Sequence, residues 1–337
     1  MTTSASFPLS RRTALRATVV GAAGAAVAGV ALTDTAAAAQ APTGHWAPAR
    51  SATLRAPLRH VPVRVSNGEV VDIAYRLVGS GRPLVLLQRF RGTLDLWDPL
   101  FVDLLARRRQ VLLFDAPGVG GSGGSVPQGI SAMADDAAAV VRALGLERAG
   151  QARGAGVDVL GWSMGGMVAQ ALAVRHPGLV RRLVLDGTTP PGNPDLVRPS
   201  EAWVQVAVKP TYSFEDVVRL FYTQSGASRS AAAASEARIA ARRDPVPPVA
   251  PASVGAQATA VFAYYDDAEK LFARLRTIAA PVFIGAGDHD DAFPVRDSTV
   301  LLEQIPGALL DVYPDSGHGF QFQYPVEFTR RVTTFLD

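Results

Sequence analysis

Cysteine is absent from the 337-residue sequence, which excludes disulfide bonds, thiolate metal ligands and a cysteine nucleophile. Lysine is nearly absent as well, since only Lys209 and Lys270 occur, and arginine carries almost all of the positive charge. The formal net charge is +3, of which residues 1–39 supply +2, so the rest of the chain is close to neutral. That balance gives no electrostatic basis for nucleic-acid binding. The hydrophobic fraction of 48% is sufficient for a large core.

Residues 1–39 have the composition of an export signal. The paired Arg11 and Arg12 precede an apolar stretch rich in alanine and glycine, and a run of small residues ends at Ala39. The pattern resembles a twin-arginine signal, which implies a secreted, extracellular protein that meets the export machinery and the membrane only in transit. A transmembrane anchor is the alternative, but the stretch is shorter than the ~20 residues of a bilayer span. We predict cleavage after Ala39 and a loose leader over 40–58.

From about residue 60, short apolar runs alternate with helix-like segments. The first two runs flank an Asn67-Gly68 turn and predict a hairpin. Continuous apolar runs of this length are typical of strands buried on both faces of a parallel sheet. Strands are predicted at 62–65, 70–78, 83–88, 111–115, 157–162, 183–186, 281–286 and 309–313, and helices at 97–108, 130–144, 164–175 and 326–336. This alternation predicts an α/β fold with a doubly wound, mostly parallel sheet.

The alternation stops over 188–277. This stretch contains helical patterns at 214–223, 228–241 and 260–275 and no strong strand pattern. We interpret it as a mainly helical insertion that divides the core into a first part, 59–187, and a second part, 278–337.

One motif carries a specific chemistry. Gly161-Trp162-Ser163-Met164-Gly165 fits G-x-S-x-G between a predicted strand and a predicted helix. A serine on that sharp turn points its Oγ into a cleft, and small neighbours prevent a clash with the adjacent chain. The N–H of Met164, at the helix N-terminus, is placed to face a developing oxyanion. The alternative is a small-residue turn with an idle serine.

A serine nucleophile needs a base. Of the five histidines, His318 is the favoured candidate, because it lies in a glycine-bracketed loop after the last predicted strand, at the carboxyl edge of the sheet. His45 and His60 precede the core, His176 follows a helix, where a capping role is favoured, and His289 lies beside a candidate acid.

The base needs a carboxylate that orients it. Three aspartates follow the strand predicted at 281–286, and Asp290 is the favoured partner of His318. Asp288 and Asp291 fit better as turn or N-cap residues. The chain order Ser163, Asp290, His318 is the order found in α/β-hydrolases.

These residues resemble the α/β-hydrolase fold superfamily, specifically its capped, esterase- or lipase-like serine hydrolases. The resemblance covers the elbow at Ser163, the segments 287–294 and 317–320, and the glycine-rich loop 114–122. It implies an α/β-hydrolase fold whose helical cap, 188–277, is inserted between strands six and seven and covers the substrate pocket. It implies no metal and no cofactor.

One departure from the family pattern affects the oxyanion hole. The family has His-Gly after the third strand, where this sequence has Gln88-Arg89. By position, Phe90 supplies the second oxyanion N–H. Arg89, or else Arg91, is a candidate for binding an anionic substrate group. The favoured alternative is that both pair with the nearby aspartates Asp95 and Asp98, and Trp162, next to the nucleophile, is a further candidate for substrate binding.

The combined pattern predicts cleavage of a small carboxylic ester or lactone through an acyl-enzyme on Ser163. Two alternatives keep the same triad: a cofactor-free haloperoxidase or perhydrolase, and a carbon–carbon bond hydrolase. Epoxide hydrolases and haloalkane dehalogenases are disfavoured because their nucleophile is an aspartate. A non-catalytic binding protein is disfavoured because the serine, aspartate and histidine are all present.

Overall fold

The computed structural model describes residues 46–148, 156–192 and 198–337. Its strands are β1 (Arg59–Arg64), β2 (Val70–Gly79), β3 (Arg82–Leu87), β4 (Arg109–Phe114), β5 (Val157–Trp162), β6 (Val180–Asp186), β7 (Val282–Gly287) and β8 (Leu309–Tyr313). They form one sheet in the order β1-β2-β4-β3-β5-β6-β7-β8. The pairs β1–β2 and β2–β4 are antiparallel, and all other pairs are parallel. The predicted doubly wound, mostly parallel sheet is confirmed.

The described helices are α1 (Ala52–Arg55), α2 (Pro99–Ala106), α3 (Ile130–Ala143), α4 (Met164–Arg175), α5 (Glu201–Ala207), α6 (Phe214–Phe221), α7 (Gly226–Ala240), α8 (Pro251–Tyr265), α9 (Val295–Gln304), α10 (Phe320–Gln323) and α11 (Pro325–Leu336). No helix in the described ranges combines the length and the apolar character needed to cross a membrane.

Alternate residues of the central strands pack into two separate cores. In β3, Val85 and Leu87 join a cluster with α3, α4 and the sheet face they cover, whereas Leu84 and Leu86 join a second cluster with α2 and α11. All four side chains are buried, as expected for a strand covered on both faces. The helices therefore lie on both sides of the sheet, and its carboxyl edge is left for the loops that follow the strands.

The predicted β1–β2 hairpin forms around Gly68. Its φ of +88° lies in the region that glycine adopts without strain, and its N–H donates to the carbonyl of Val65 at 2.8 Å. The hairpin adds an antiparallel edge to the parallel sheet.

Four helices, α5 to α8, lie between β6 and β7, and the described residues there contain no strand. Helix α6 begins with a capping box in which Ser213 and Asp216 satisfy each other's backbone N–H groups. Helix α8 begins at Pro251, earlier than the helix predicted from 260, and ends near Asp267, whose φ is 47°. Proline at the first helical position and a left-handed residue at the end account for this shift.

Residues 46–58 differ from the loose leader that we expected. Asp103 on α2 accepts the indole N–H of Trp46 at 3.1 Å and both the N–H and hydroxyl of Thr53, at 2.8 and 2.7 Å. Thr53 is buried as a result. These hydrogen bonds hold the segment against α2, because the partly buried carboxylate of Asp103 needs several donors. The composition of the segment alone does not indicate this contact. The predicted signal, 1–39, lies outside the described residues.

Candidate active site

The predicted nucleophile lies at the junction of β5 and α4. Ser163 is the N-cap of α4 and has φ 59° and ψ −122°, a conformation that L-residues rarely adopt. A Cβ on Gly161 would overlap the carbonyl of Gly165, and a Cβ on Gly165 would overlap the carbonyl of Leu87. Both elbow glycines are therefore required by close backbone approach, and β5 leads directly into α4 as the motif predicts.

Backbone hydrogen bonds anchor Ser163. Its N–H donates to the carbonyl of Asp186 at 2.9 Å, and its carbonyl accepts from Thr188 Oγ1 at 2.8 Å. Its side chain makes no capping hydrogen bond to α4. Met164 follows as the first helical residue, where backbone N–H groups have no acceptor within the helix. This is the position that the predicted oxyanion role of Met164 requires.

The structure brings His318 beside this elbow. The imidazole is 2% exposed, and its ring centroid lies 5.7 Å from that of Trp162, the residue before Ser163. The indole N–H of Trp162 donates to the carbonyl of His318 at 2.9 Å. On the other side of the loop, the N–H of Gly319 donates to the carbonyl of Phe221 at 2.7 Å. Trp162 thus ties the loop of the predicted base to the residue that precedes the predicted nucleophile.

Asp290 is the aspartate that reaches His318. Its Oδ2 lies 2.8 Å from His318 Nδ1, and both side chains are almost fully buried. Its Oδ1 accepts the backbone N–H groups of Ala292 and Phe293 at 2.8 and 2.9 Å. The same carboxylate therefore closes its own turn and orients the imidazole, and a serine triad requires this orientation of the base.

The other two aspartates of this turn have different partners. Asp288 Oδ1 lies 2.6 Å from Nδ1 of His289, and this hydrogen bond raises the pKa of His289. Asp291 forms an exposed ion pair with Arg219 at 3.0 Å. Of the remaining described histidines, His176 caps α4 through its backbone and lies 2.8 Å from Asp135, and His60 is exposed in β1.

Aromatic rings enclose His318. Phe221 stacks on it with ring centroids 6.1 Å apart, and Phe293 and Trp203 meet it edge-on at 5.3 and 6.3 Å. Phe221 and Trp203 come from the segment between β6 and β7, whereas Phe293 follows Asp290 in the same turn. These apolar groups exclude water and strengthen the hydrogen bond between Asp290 and His318.

Sequence reasoning missed two residues at the end of β6. Gly187 has φ +49°, and a Cβ there would lie 3.3 Å from His318 Nδ1 and 3.5 Å from Asp290 Oδ2. Asp186 is fully buried, and its two carboxylate oxygens have no hydrogen-bond partner among the described residues. Burial, followed by the nearby charge of Asp290, raises the pKa of Asp186 well above its usual value. The sequence could have indicated both residues, because they lie at the end of a predicted strand and the carboxyl ends of parallel strands share one edge of the sheet.

The loop after β3 is organised by Gln88, which stands where the family pattern has histidine. Its Oε1 accepts the N–H of Arg89 at 2.9 Å, and its Nε2 donates to the carbonyl of Thr93 at 3.0 Å. A Cβ on Gly92 would overlap the Gln88 side chain. The carbonyls of Leu87 and Gln88 also face Gly165. Phe90 is partly buried against the core next to this loop, and its oxyanion role stays a prediction.

A second buried carboxylate fixes the neighbouring glycine-rich loop. Asp115, at the end of β4, accepts the N–H of Leu94 at 2.6 Å and the N–H of Gly121 at 2.8 Å. Burial raises the pKa of Asp115 to about 7, although these two N–H donors oppose the shift. Asp115 thus ties the 114–122 loop to the segment that follows β3.

The expected pairing of the loop arginines with Asp95 and Asp98 is wrong. Asp95 instead pairs with Arg76 and Arg242, each at 2.9 Å, and all three groups are buried. Asp98 pairs with Arg238 on α7 at 2.6 Å. The two carboxylates form ion pairs with the arginines that the fold places beside them, because an unpaired buried charge is destabilising.

A cavity of about 910 Å³ lies between the loop after β3 and the helical segment. Its wall includes Arg89, Trp162 and Phe221, and the rings of the last two flank His318. Tyr212 and Glu236 contribute polar groups on the helical side. The volume is that of a small-molecule site. Two of its lining rings, Trp162 and Phe221, pack against the imidazole of His318, and the substrate-binding role of Trp162 stays a prediction.

A family model described as the alpha/beta hydrolase fold matches residues 82–325, well over half of the chain. The chain belongs to the α/β-hydrolase fold family. This hydrolase is similar in structure to an alpha/beta hydrolase fold protein from Chitinophaga pinensis, with a TM-score of 0.75 and 33% identity. The likeness covers 85% of this chain and 98% of that one.

Two relatives of this hydrolase differ in the chemistry that their names state. The "Putative carbamate hydrolase RutD" of Caulobacter sp. (strain K31) is 29% identical over 79% of this chain and 96% of its own length. The "Non-heme haloperoxidase" of Rhodococcus erythropolis is 28% identical over 76% of this chain and 92% of its own length. These comparisons identify a hydrolase enzyme and leave its substrate to be argued from the site.

Proposed function

We propose that this hydrolase cleaves a carboxylic ester or lactone through an acyl-enzyme on Ser163, with His318 as base and Asp290 as its orienting acid. The observation that carries the proposal is the 2.8 Å hydrogen bond between Asp290 and His318 beside a serine held at φ 59°. A buried carboxylate on Nδ1 leaves Nε2 of His318 as the basic nitrogen.

The proposed reaction balances within these groups. Ser163 Oγ attacks the carbonyl carbon, and His318 Nε2 takes the hydroxyl proton. The bond to the alkoxy oxygen then breaks, and the imidazolium returns the proton to the leaving alkoxide. Water repeats the sequence on the acyl-enzyme, which releases the acid and restores Ser163. The N–H groups of Met164 and Phe90 stabilise the oxyanion, and each is worth about 10²–10³ in kcat.

A second candidate keeps the triad and changes the reaction. The names of the two relatives support it, since one is named "Putative carbamate hydrolase RutD" and the other "Non-heme haloperoxidase". In carbamate cleavage the acyl-enzyme is a carbamoyl group, and in perhydrolysis hydrogen peroxide replaces water in the second step. Both reactions use Ser163 as nucleophile, so substrate panels distinguish them from ester cleavage.

The experiment compares three proteins on p-nitrophenyl esters of rising chain length: the parent, Ser163→Ala, and Ser230→Ala, which removes an exposed serine on α7. We expect turnover in the parent and in Ser230→Ala and none above background in Ser163→Ala. A fluorophosphonate should label the parent at Ser163. Labelling without turnover of any ester or lactone would favour the second candidate, and absence of both would reject a serine hydrolase.

We also propose that the protein is exported. The support is the Arg11-Arg12 pair before an apolar stretch that ends in small residues at Ala39. Replacing both arginines by lysine should retain the protein in the cell at its full mass, whereas the parent should appear outside with Gln40 as its first residue. Equal export of the two proteins would contradict a twin-arginine route.

A further inference from the structure

The two arginines of the loop after β3 are used differently. Arg91 is fixed by its guanidinium, which donates to the carbonyls of Ala207 and Pro210 at 2.8 and 3.0 Å and to the hydroxyl of Tyr212 at 3.0 Å. Its backbone N–H donates to Gln257, and its φ is 59°. These bonds hold a strained residue and tie the loop to the helical segment. Arg91 therefore has a structural role.

The guanidinium of Arg89 is largely unused. Within the described ranges its single hydrogen bond runs from Nη1 to the carbonyl of Phe90 at 2.8 Å, and it makes no ion pair. Its Nε atom is buried and has no partner among the described residues. The two groups left over, Nε–H and Nη2–H, lie on one edge of the guanidinium. That edge matches the two oxygens of a carboxylate.

Aromatic packing aims this cation into the cavity. Its Cζ lies 4.7 Å from the ring centroid of Phe221 and 5.3 Å from that of Trp162, and all three residues line the cavity wall. Burial lowers the pKa of Arg89, and the charge of Glu236 is among the effects that oppose this shift. The charge of a cation packed on two rings is only partly balanced. An anion that binds it is therefore stabilised more in this buried site than it would be at the protein surface.

The position of Arg89 relative to the chemistry limits where that anion lies. Arg89 precedes Phe90, the predicted oxyanion donor, and the rings beneath its guanidinium are two of the rings that surround His318. An anion on Arg89 is therefore bound against rings that also contact the proposed base.

We propose that the unpaired edge of Arg89, held over Trp162 and Phe221 in the cavity beside His318, binds a carboxylate carried by the substrate. The substrate class is then the monoester of a short dicarboxylic acid, or a lactone or carbamate that bears a carboxylate. This assignment rests on the proposed function for its reaction but not for its binding step.

The kinetic test compares monomethyl esters of four- to six-carbon dicarboxylic acids with methyl esters of monocarboxylic acids of equal chain length. Acid release is followed by pH-stat titration. The parent should prefer the anionic esters, and Arg89→Met, which keeps the stem that packs on the rings, should lower the anionic-to-neutral ratio of kcat/KM about 10- to 100-fold. Arg219→Met removes an exposed, ion-paired arginine on α6 and should leave the ratio unchanged.

A charge change of opposite sign gives an independent check. Glu236 lines the same cavity, where burial raises its pKa and the charge of Arg89 opposes that shift. Glu236→Gln removes a negative charge that competes with the substrate and should lower KM for the anionic esters more than for the neutral ones. An unchanged ratio in both Arg89→Met and Glu236→Gln would overturn the assignment.

Binding is measured separately so that the two proposals can fail separately. Glutarate should bind Ser163→Ala and should lose that binding in Ser163→Ala/Arg89→Met, measured by calorimetry. Glutarate binding without ester turnover would remove the proposed function and keep the site. Ester turnover without Arg89-dependent binding of glutarate would keep the proposed function and remove the site. Tighter binding of inorganic phosphate than of glutarate would overturn the assignment to a carboxylate.

Discussion

The carboxylate of Asp290 contacts the imidazole of His318 with one oxygen and its own turn with the other. Oδ2 lies 2.8 Å from Nδ1 of His318, while Oδ1 accepts the N–H groups of Ala292 and Phe293. Because both groups of the turn are N–H donors, the atom that faces them must be a hydrogen-bond acceptor. An asparagine at this position must therefore place its oxygen toward the turn and its NH₂ group toward His318.

This asymmetry makes Asp290→Asn a test of catalytic role with little change in shape. The NH₂ group would donate to Nδ1, so that Nε2 carries the proton and cannot act as base. We expect kcat to fall on the order of 10⁴-fold, the loss that a wrong tautomer causes in a serine triad. Ester turnover measures the loss, and circular dichroism checks the fold. Asp291→Asn alters the adjacent, exposed carboxylate and should keep nearly full activity.

Gly187→Ala is expected to reduce activity beyond its effect on stability. Its φ of +49° makes any Cβ strained, at a cost of about 1–2 kcal/mol, and that Cβ would lie 3.3 Å from His318 Nδ1. A displaced imidazole should lower kcat about 10²-fold. Gly307→Ala is the matched control, because its φ is +72° and its Cβ would meet no atom within 4 Å. If the two variants have the same denaturant midpoint and also the same activity, the proposed role of Gly187 beside His318 is wrong.

Local patterns in the sequence are sufficient to predict the sheet and the contact between Asp290 and His318. Ser163, Asp290 and His318 each lie in the segment that follows a strand, and glycines or turn residues indicate the shape of each segment. Parallel strands bring such segments to one edge of the sheet, so placing them together needed only the order of the strands.

The partners of the buried charges could not be predicted in the same way. Asp98 pairs with Arg238, and Asp95 with Arg242, across more than a hundred residues of chain, and local charge patterning favours nearer arginines instead. The stacking of Phe221 on His318 depends likewise on how α6 packs against the core. Such contacts follow from tertiary packing, which a single sequence does not encode as a local pattern.

Asp186→Asn should change how stability depends on pH. The pKa of Asp186 is raised in the folded protein, mainly by burial, whereas in the unfolded chain it is about 3.9. Between the unfolded pKa and the raised folded pKa, the unfolded state has lost this proton and the folded state keeps it. The parent should therefore lose stability relative to Asp186→Asn as pH rises, by at most about 1.4 kcal/mol per pH unit, until the folded pKa is passed.

Urea unfolding between pH 5 and 8 measures this slope. Asp216→Asn provides the control, because the hydrogen bond from Lys209 lowers the pKa of Asp216 to about 2 and both states are then ionised throughout the range. The difference in unfolding free energy between Asp216→Asn and the parent should not vary with pH. Parallel stability curves for Asp186→Asn and the parent would mean that Asp186 is ionised in the folded protein.

Two helical glycines should respond to alanine in opposite directions. Gly165 lies in the first turn of α4, where a Cβ would overlap the backbone of Leu87, so Gly165→Ala should destabilise by about 3 kcal/mol and distort the elbow at Ser163. Gly255 is exposed on α8 with no atom within 4 Å of a built Cβ, so Gly255→Ala should stabilise by about 0.8–1 kcal/mol through helix propensity. A urea midpoint that rises in Gly165→Ala would contradict the close approach of the loop after β3 to the elbow, and one that falls in Gly255→Ala would contradict the open surroundings of Gly255.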